Sequence, residues 1–176
     1  AQRTVTAPGG DSADAMAKLY AEGGYLADDA AVRALACVKT AEDVAAVRAA
    51  VRCVYLPWLD DTARNLQECL ATKALPAVAQ QEGIEAASGQ CIVFADGLRF
   101  DTGKRLVAMA EARQLEVSDD WRWAALPTVT ATAKPAASPV AGQVRGGSLD
   151  ADFCPEVSET GEKLSADRLR RLLSAA

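Results

Sequence analysis

Five consecutive apolar residues, Cys91-Ile92-Val93-Phe94-Ala95, run directly into Asp96-Gly97. An apolar run of that length, without polar alternation, suits a strand buried on both faces, as in a parallel sheet. Gly97 can take the positive φ that a sharp turn off a sheet requires, so Asp-Gly predicts the strand's end. From Thr102 the residues TGKRLVAMAEAR predict a helix with Leu106 and Met109 on one face. Asp96 is thereby expected at the carboxyl end of a buried strand, where open α/β sheets place their ligand sites. The expected fold class is α/β.

The chain contains no histidine. This excludes a Ser-His or Cys-His nucleophile pair, and any His-ligated metal, built from these residues alone. The five cysteines, Cys37, Cys53, Cys69, Cys91 and Cys154, are odd in number and lack paired short spacings. That pattern fits neither a disulfide framework nor a zinc module, and the expected compartment is a reducing one, the cytoplasm. A net charge of −5 and a pI near 4.8 argue against broad nucleic-acid binding, which wants a basic face. No apolar run approaches a membrane span, and no signal-peptide pattern opens the chain. It begins at Ala1 without an initiator Met, as expected of a processed chain or a piece of a longer one.

The first ninety residues or so predict short helices. Residues 1–24 are expected to be a loose tail and a first helix broken at Gly23-Gly24; residues 25–88 form a helical region. Asp28 or Asp29 is placed to cap a second helix carrying Val32, Leu35 and Val38. Thr40 with Asp43 three residues on resembles a capping box, followed by Val44, Val47, Val51 and Val54 at helical spacing. Pro57 removes a backbone donor, so a kink or break is expected there. A further helix from Trp58 to about Leu70 is expected to bury Leu59, Leu66 and Leu70 and to pair Asp60 with Arg64. Tyr55 and Trp58 suit helix packing better than a binding platform. Gly83 to Gln90 reads as a linker.

After the helix at 102, Trp121 to Leu126 has the aromatic and apolar weight of a second strand, stopped by Pro127. Thr128 and Thr130 follow, and Thr130 lies 34 residues after Asp96, about one strand–helix–strand repeat. Parallel neighbours would bring both side chains to one edge, their oxygens about 4 to 7 Å apart given two-metal spacing. A carboxylate beside a Thr hydroxyl is weak acid–base equipment. With a divalent metal held by Asp96, the hydroxyl can be oriented and deprotonated, which is the equipment of phosphoryl transfer. Turn hydroxyls and caps account for the same residues without chemistry.

The stretch from Val93 to Asp101, followed by Leu126-Pro127-Thr128-Val129-Thr130-Ala131, closely resembles the PglZ domain. That domain is a branch of the alkaline phosphatase superfamily found in BREX bacteriophage-defence systems. Tyr55-Leu56-Pro57-Trp58-Leu59-Asp60, with Ala63 and Gln67, is similar to the helical lead-in of PglZ proteins. The resemblance covers residues 25 to 145 or so. It implies that residues 89–176 are the first part of an alkaline-phosphatase-like sheet, incomplete in this chain. It implies Asp96 as a metal ligand and Thr130 as both nucleophile and metal contact, with Arg99, Asp101 and Thr128 as supporting positions. The implied cofactor is a divalent metal, Zn or else Mn, in a two-metal site completed by residues outside this chain. Those completing ligands are Asp and His in the superfamily, so the isolated chain is expected to bind metal weakly and to hydrolyse nothing alone. The implied partners are other BREX components and a phosphoester substrate. The rival reading is a non-catalytic docking component of a BREX complex.

Towards the end, Gly142 to Gly161 predicts a surface excursion. Ser165 is placed to cap a last helix with Leu169, Leu172 and Leu173 apolar, and Lys163, Arg168, Arg170 and Arg171 predict a solvated basic face.

Overall fold

The computed structural model describes residues 1–4, 7, 9–72, 88–146 and 154–176. The chain divides into two units: Ala1–Leu75 with Leu98–Trp121, and Pro76–Gly97 with Arg122–Ala176.

The first unit is helical. A 3-10 turn at Gln2–Thr4 precedes α1 (Ala13–Leu19), whose N-cap Ser12 accepts from the Ala15 amide at 3.2 Å. Gly23-Gly24 does not break the helix as expected. A π-helical turn, Tyr20–Gly24, carries the chain straight into α2 (Tyr25–Ala36). Contacts on both sides hold that turn: the rings of Tyr20 and Tyr25 both meet Phe100, with centroids 5.7 and 5.6 Å away. Asp28 is not a cap either. It lies inside α2, 7 % exposed.

The next helix, α3 (Ala41–Thr72), runs through Pro57. Its start is as the sequence predicts, with the Asp43 amide donating to Thr40 Oγ1 at 3.1 Å. The Asp60–Arg64 pair also forms, at 2.7 Å. The expected break is absent for two reasons. The carbonyl that Pro57 leaves without its donor belongs to Cys53, an exposed residue, so water can take the bond. The residues around it, Tyr55 and Trp58, are stacked at 5.6 Å, and Trp58 is buried at 3 % exposure. Leu59, expected inside, is 43 % exposed.

The helix after Asp96 belongs to this unit. It is α4 (Phe100–Glu111), and it packs on α2. Leu106 and Met109, expected on one face, are turned out, 59 % and 49 % exposed. The covered positions include Phe100 and Val107 and a charged stripe, Asp101, Lys104 and Arg105. Lys104 pairs with Asp119, and Arg105 donates to Asp29 at 2.5 and 3.1 Å.

In the second unit, Cys91 to Ala95 is neither a strand nor buried. Val93 is 83 % exposed, and Ile92 and Phe94 are both more than a third exposed. Trp121 to Leu126 is likewise irregular. The expected pair of parallel strands is therefore not formed among the described residues. An apolar run becomes a buried strand only where neighbouring strands and covering helices take up its backbone and faces, and no described segment does so here. The β-structure described is a short antiparallel pair, β1 (Val144–Arg145) with β2 (Glu156–Val157), in register Val144 to Val157 and Arg145 to Glu156. Beside it lie α5 (Thr130–Ala136), a 3-10 turn at Ala141–Gln143 and α6 (Ala166–Ala175).

This unit's core is small: Val140, Ala141 and Leu164, with Ser138 donating to the Pro135 carbonyl at 2.7 Å. Ser165 caps α6 as expected, accepting from the Arg168 amide at 3.2 Å. Its basic side chains pair locally, Arg168 with Glu162 and Arg170 with Asp167. Of its apolar face, Leu169 and Leu172 are half-buried and Leu173 is exposed. The expected linker at 83–90 falls mostly outside the described residues, as does the middle of the expected excursion at 142–161. Among the described residues no helix is long and apolar enough to cross a membrane.

Candidate functional site

Asp96 and Thr130 meet without the sheet that was expected to align them. Thr130 Oγ1 donates to Asp96 Oδ2 at 3.0 Å, and both residues are exposed. The separation is shorter than the range expected across two strand ends, because the two groups bond directly.

Local backbone chemistry sets the pair. Asp96-Gly97 is a turn with Gly97 at φ 68°, a conformation that favours glycine. On the other side Pro127 ends the apolar run after a cis Leu126–Pro127 bond. The Val129 amide donates to the Pro127 carbonyl at 2.8 Å, and Thr132 Oγ1 donates to the same carbonyl. This tight turn starts α5 with Thr130 as its first residue. One turn along α5, the Lys134 ammonium stands over the Phe94 ring, 5.8 Å from its centroid. Thr130 and Lys134 share a helix face, and Phe94 and Asp96, two residues apart, each meet one of them. Two contacts thus clamp α5 to the chain before Gly97. Thr128 is exposed and precedes the helix.

Arg99 and Asp101 belong to the other unit. There Arg99 Nε donates to Asp101 Oδ1 at 2.9 Å, and its guanidinium lies 3.5 Å from Asp28 Oδ1. Tyr20 donates to Asp28 Oδ2 at 2.7 Å, and Tyr55 donates to Asp28 Oδ1. Partial burial, and then the bond to Asp28, push the Tyr55 phenol up to about 12. The same causes raise Tyr20, and the hydrogen bond with Asp101 raises Arg99. The sequence signal was present but misattributed. Tyr20 and Asp28 stand eight residues apart, on one face of a continuous helix, yet Gly23-Gly24 reads as a break and Asp28 as a cap. Tyr55 and Trp58 are packing anchors, as the sequence favours, and Tyr55 is also a hydrogen-bond donor.

Comparison with protein-family models, with curated proteins and with solved structures finds no match. The PglZ resemblance rests on the residues that carry it.

Chemically, the pair offers two adjacent oxygen donors open to solvent. A catalytic zinc takes three protein ligands. Among the described residues no group of three or more acidic or cysteine side chains is arranged to hold a metal ion. Asp96 and Thr130 supply two oxygen donors, fewer than such a site needs. What they can do unaided is narrower: the carboxylate accepts the hydroxyl's hydrogen bond, orients its oxygen and stands ready to receive its proton.

Proposed function

We propose that the chain carries the nucleophile half of a PglZ-type phosphoester hydrolase acting in bacterial phage defence, in the cytoplasm. The observation that supports this reading is the 3.0 Å bond between Thr130 Oγ1 and Asp96 Oδ2, formed between the two positions that the resemblance pairs. In the proposed reaction Thr130 Oγ1 attacks phosphorus as its proton passes to Asp96. An Oγ1–P bond forms, the P–O bond to the leaving group breaks and its oxygen takes that proton from Asp96 to leave as the alcohol. Water then cleaves the Oγ1–P bond, one of its protons restoring the Thr130 hydroxyl and the rest of it leaving on the phosphate. Asp96 and Thr130 would hold one side of a divalent cation, Zn or else Mn, which supplies charge stabilisation for the phosphoryl oxygens. Its remaining ligands would have to come from outside the described residues. Thr128 supports the turn that presents Thr130. Arg99 and Asp101 have no part in the reaction as proposed, since both are engaged in the other unit.

The test is hydrolysis of a chromogenic phosphodiester by the full-length protein with Zn or Mn. Thr130→Ala is expected to abolish turnover, Thr130→Ser to keep part of it, and Thr128→Ala to have a milder effect. Asp96→Ala is expected to lose metal affinity together with activity. Undiminished turnover in Thr130→Ala would refute the assignment.

A second reading, a non-catalytic docking component of a BREX complex, is favoured by one observation: the exposed apolar run around Val93. Tyr55 and Trp58 do not supply that surface, because Trp58 is buried and Tyr55 is bonded to Asp28. Under the docking reading, Val93→Asp would abolish phage resistance while Thr130→Ala would leave it intact.

A further inference from the structure

Outside the Asp96–Thr130 pair, the feature of the first unit that most resembles a ligand site is a cleft between α2 and α4, of about 380 Å³. That volume lies within the range of small-molecule sites. Tyr25, Leu26 and Ala108 give it apolar walls. Its charged wall residues are Asp29, Arg33, Asp101, Lys104 and Arg105, with Lys104 paired to Asp119, while Arg99 and Asp28 adjoin Asp101 without lining the cleft. On one side, the single carboxylate of Asp29 serves two guanidiniums, with Arg105 at 2.5 Å on Oδ1 and Arg33 at 3.7 Å on Oδ2. That leaves one positive charge in excess. On the other side, Arg99 serves two buried carboxylates, Asp101 at 2.9 Å and Asp28 at 3.5 Å. That leaves one negative charge in excess.

Asp101 is 2 % exposed, and its Oδ2 has no hydrogen-bond partner among the described residues. A buried acceptor without a donor is rare in folded proteins and marks a place where a group is missing. Asp101 also forms part of the cleft wall. The orphan oxygen, the adjoining negative excess and the positive excess across the same cleft call for one molecule with a donor at one end and an anion at the other.

We propose that this cleft binds a small amino carboxylate, its ammonium donating to Asp101 Oδ2 and its carboxylate meeting Arg33 and Arg105. Each end neutralises the excess charge it meets. A carboxylate between two guanidiniums gains charge-assisted bonds on both oxygens. The apolar walls suit a hydrocarbon body between the two charged ends. Because Oδ2 is covered, the ammonium reaches it only with a shift of neighbouring side chains. The site shares no residue with the Asp96–Thr130 pair, and its occupancy is independent of hydrolysis.

The probes are glycine, γ-aminobutyrate and 6-aminohexanoate, with butylamine and butyrate as one-ended controls, titrated into the whole chain and followed by amide chemical shifts. At least one amino carboxylate is expected to shift the amides of α2 and α4 saturably, with an affinity about tenfold or more above both controls. Arg33→Ala changes a largely exposed side chain and should fold normally. It is expected to weaken the bound probe about tenfold while leaving butylamine unaffected. Asp101→Asn, if folded, is expected to lose the preference for an ammonium. Should it fail to fold, Arg33→Ala still decides. Equal affinity for the one-ended controls, no saturable shifts with any probe, or unchanged affinity in Arg33→Ala would overturn the proposal.

Discussion

Thr130 and Thr128 are two residues apart with the same side chain, and only their surroundings distinguish them. Thr130 opens α5 and bonds to a carboxylate 34 residues earlier. Thr128 stands in the turn before it, so the account expects their alanine variants to differ in activity while changing stability little, since exposed hydroxyls contribute within about 0.5 kcal/mol. Tyr55 makes a second residue-level prediction. Its phenol is protonated up to about pH 12 in the fold, against an ordinary value of 10.0. A folded value raised above the unfolded one contributes stability fully present below the unfolded value and lost as pH rises through the folded one. Urea midpoints followed by circular dichroism should therefore fall between about pH 10 and 12, and Tyr55→Phe should flatten that slope. An unchanged slope in Tyr55→Phe would place the alkaline transition elsewhere. At this scale the sequence was partly legible. Positions that act through local spacing, such as Thr40 with Asp43, Asp60 with Arg64 and Ser165, are read directly from it. Asp28 was misread because its partners, Tyr55 and Arg99, are 27 and 71 residues away in the chain.

At the scale of elements, α3 and α4 show where local rules yield to packing. Pro57 would end an isolated helix, yet α3 continues because Tyr55 and Trp58 anchor the turn around it. Pro57→Ala restores a donor for the Cys53 carbonyl. It is expected to raise the unfolding free energy by about 1 kcal/mol, the recovered bond exceeding the entropy that proline removes from the unfolded chain. A fall in the urea midpoint would mean that the backbone geometry set by Pro57 is required for packing. In α4 the apolar stripe faces out, and a charged stripe meets α2. Leu106→Lys should therefore change stability by less than about 0.5 kcal/mol, where a buried leucine would cost several. A large loss in thermal unfolding would show that the Leu106 face is covered. Binary patterning does not identify the inward face of this helix, because Arg105 and Asp29 satisfy each other across the contact.

For the whole molecule, the helical content of the first unit follows from the sequence, whereas the parallel sheet expected around Cys91 does not form among the described residues. A strand buried on both faces is a property of its neighbours, and five apolar residues cannot specify them. What survives the loss of that sheet is the proximity of Asp96 to Thr130, kept by the Gly97 turn, the start of α5 and the Lys134–Phe94 contact. The proposed function depends on that proximity and on Thr130 Oγ1 forming a bond to phosphorus. The most direct measurement is acid-quenched mass spectrometry of the full-length protein during turnover of a phosphodiester in the presence of Zn or Mn. The account predicts a phosphoryl group on Thr130 that disappears as substrate is exhausted and is absent in Thr130→Ala. Turnover with no phosphoryl group on Thr130, or with one on another residue, would contradict it.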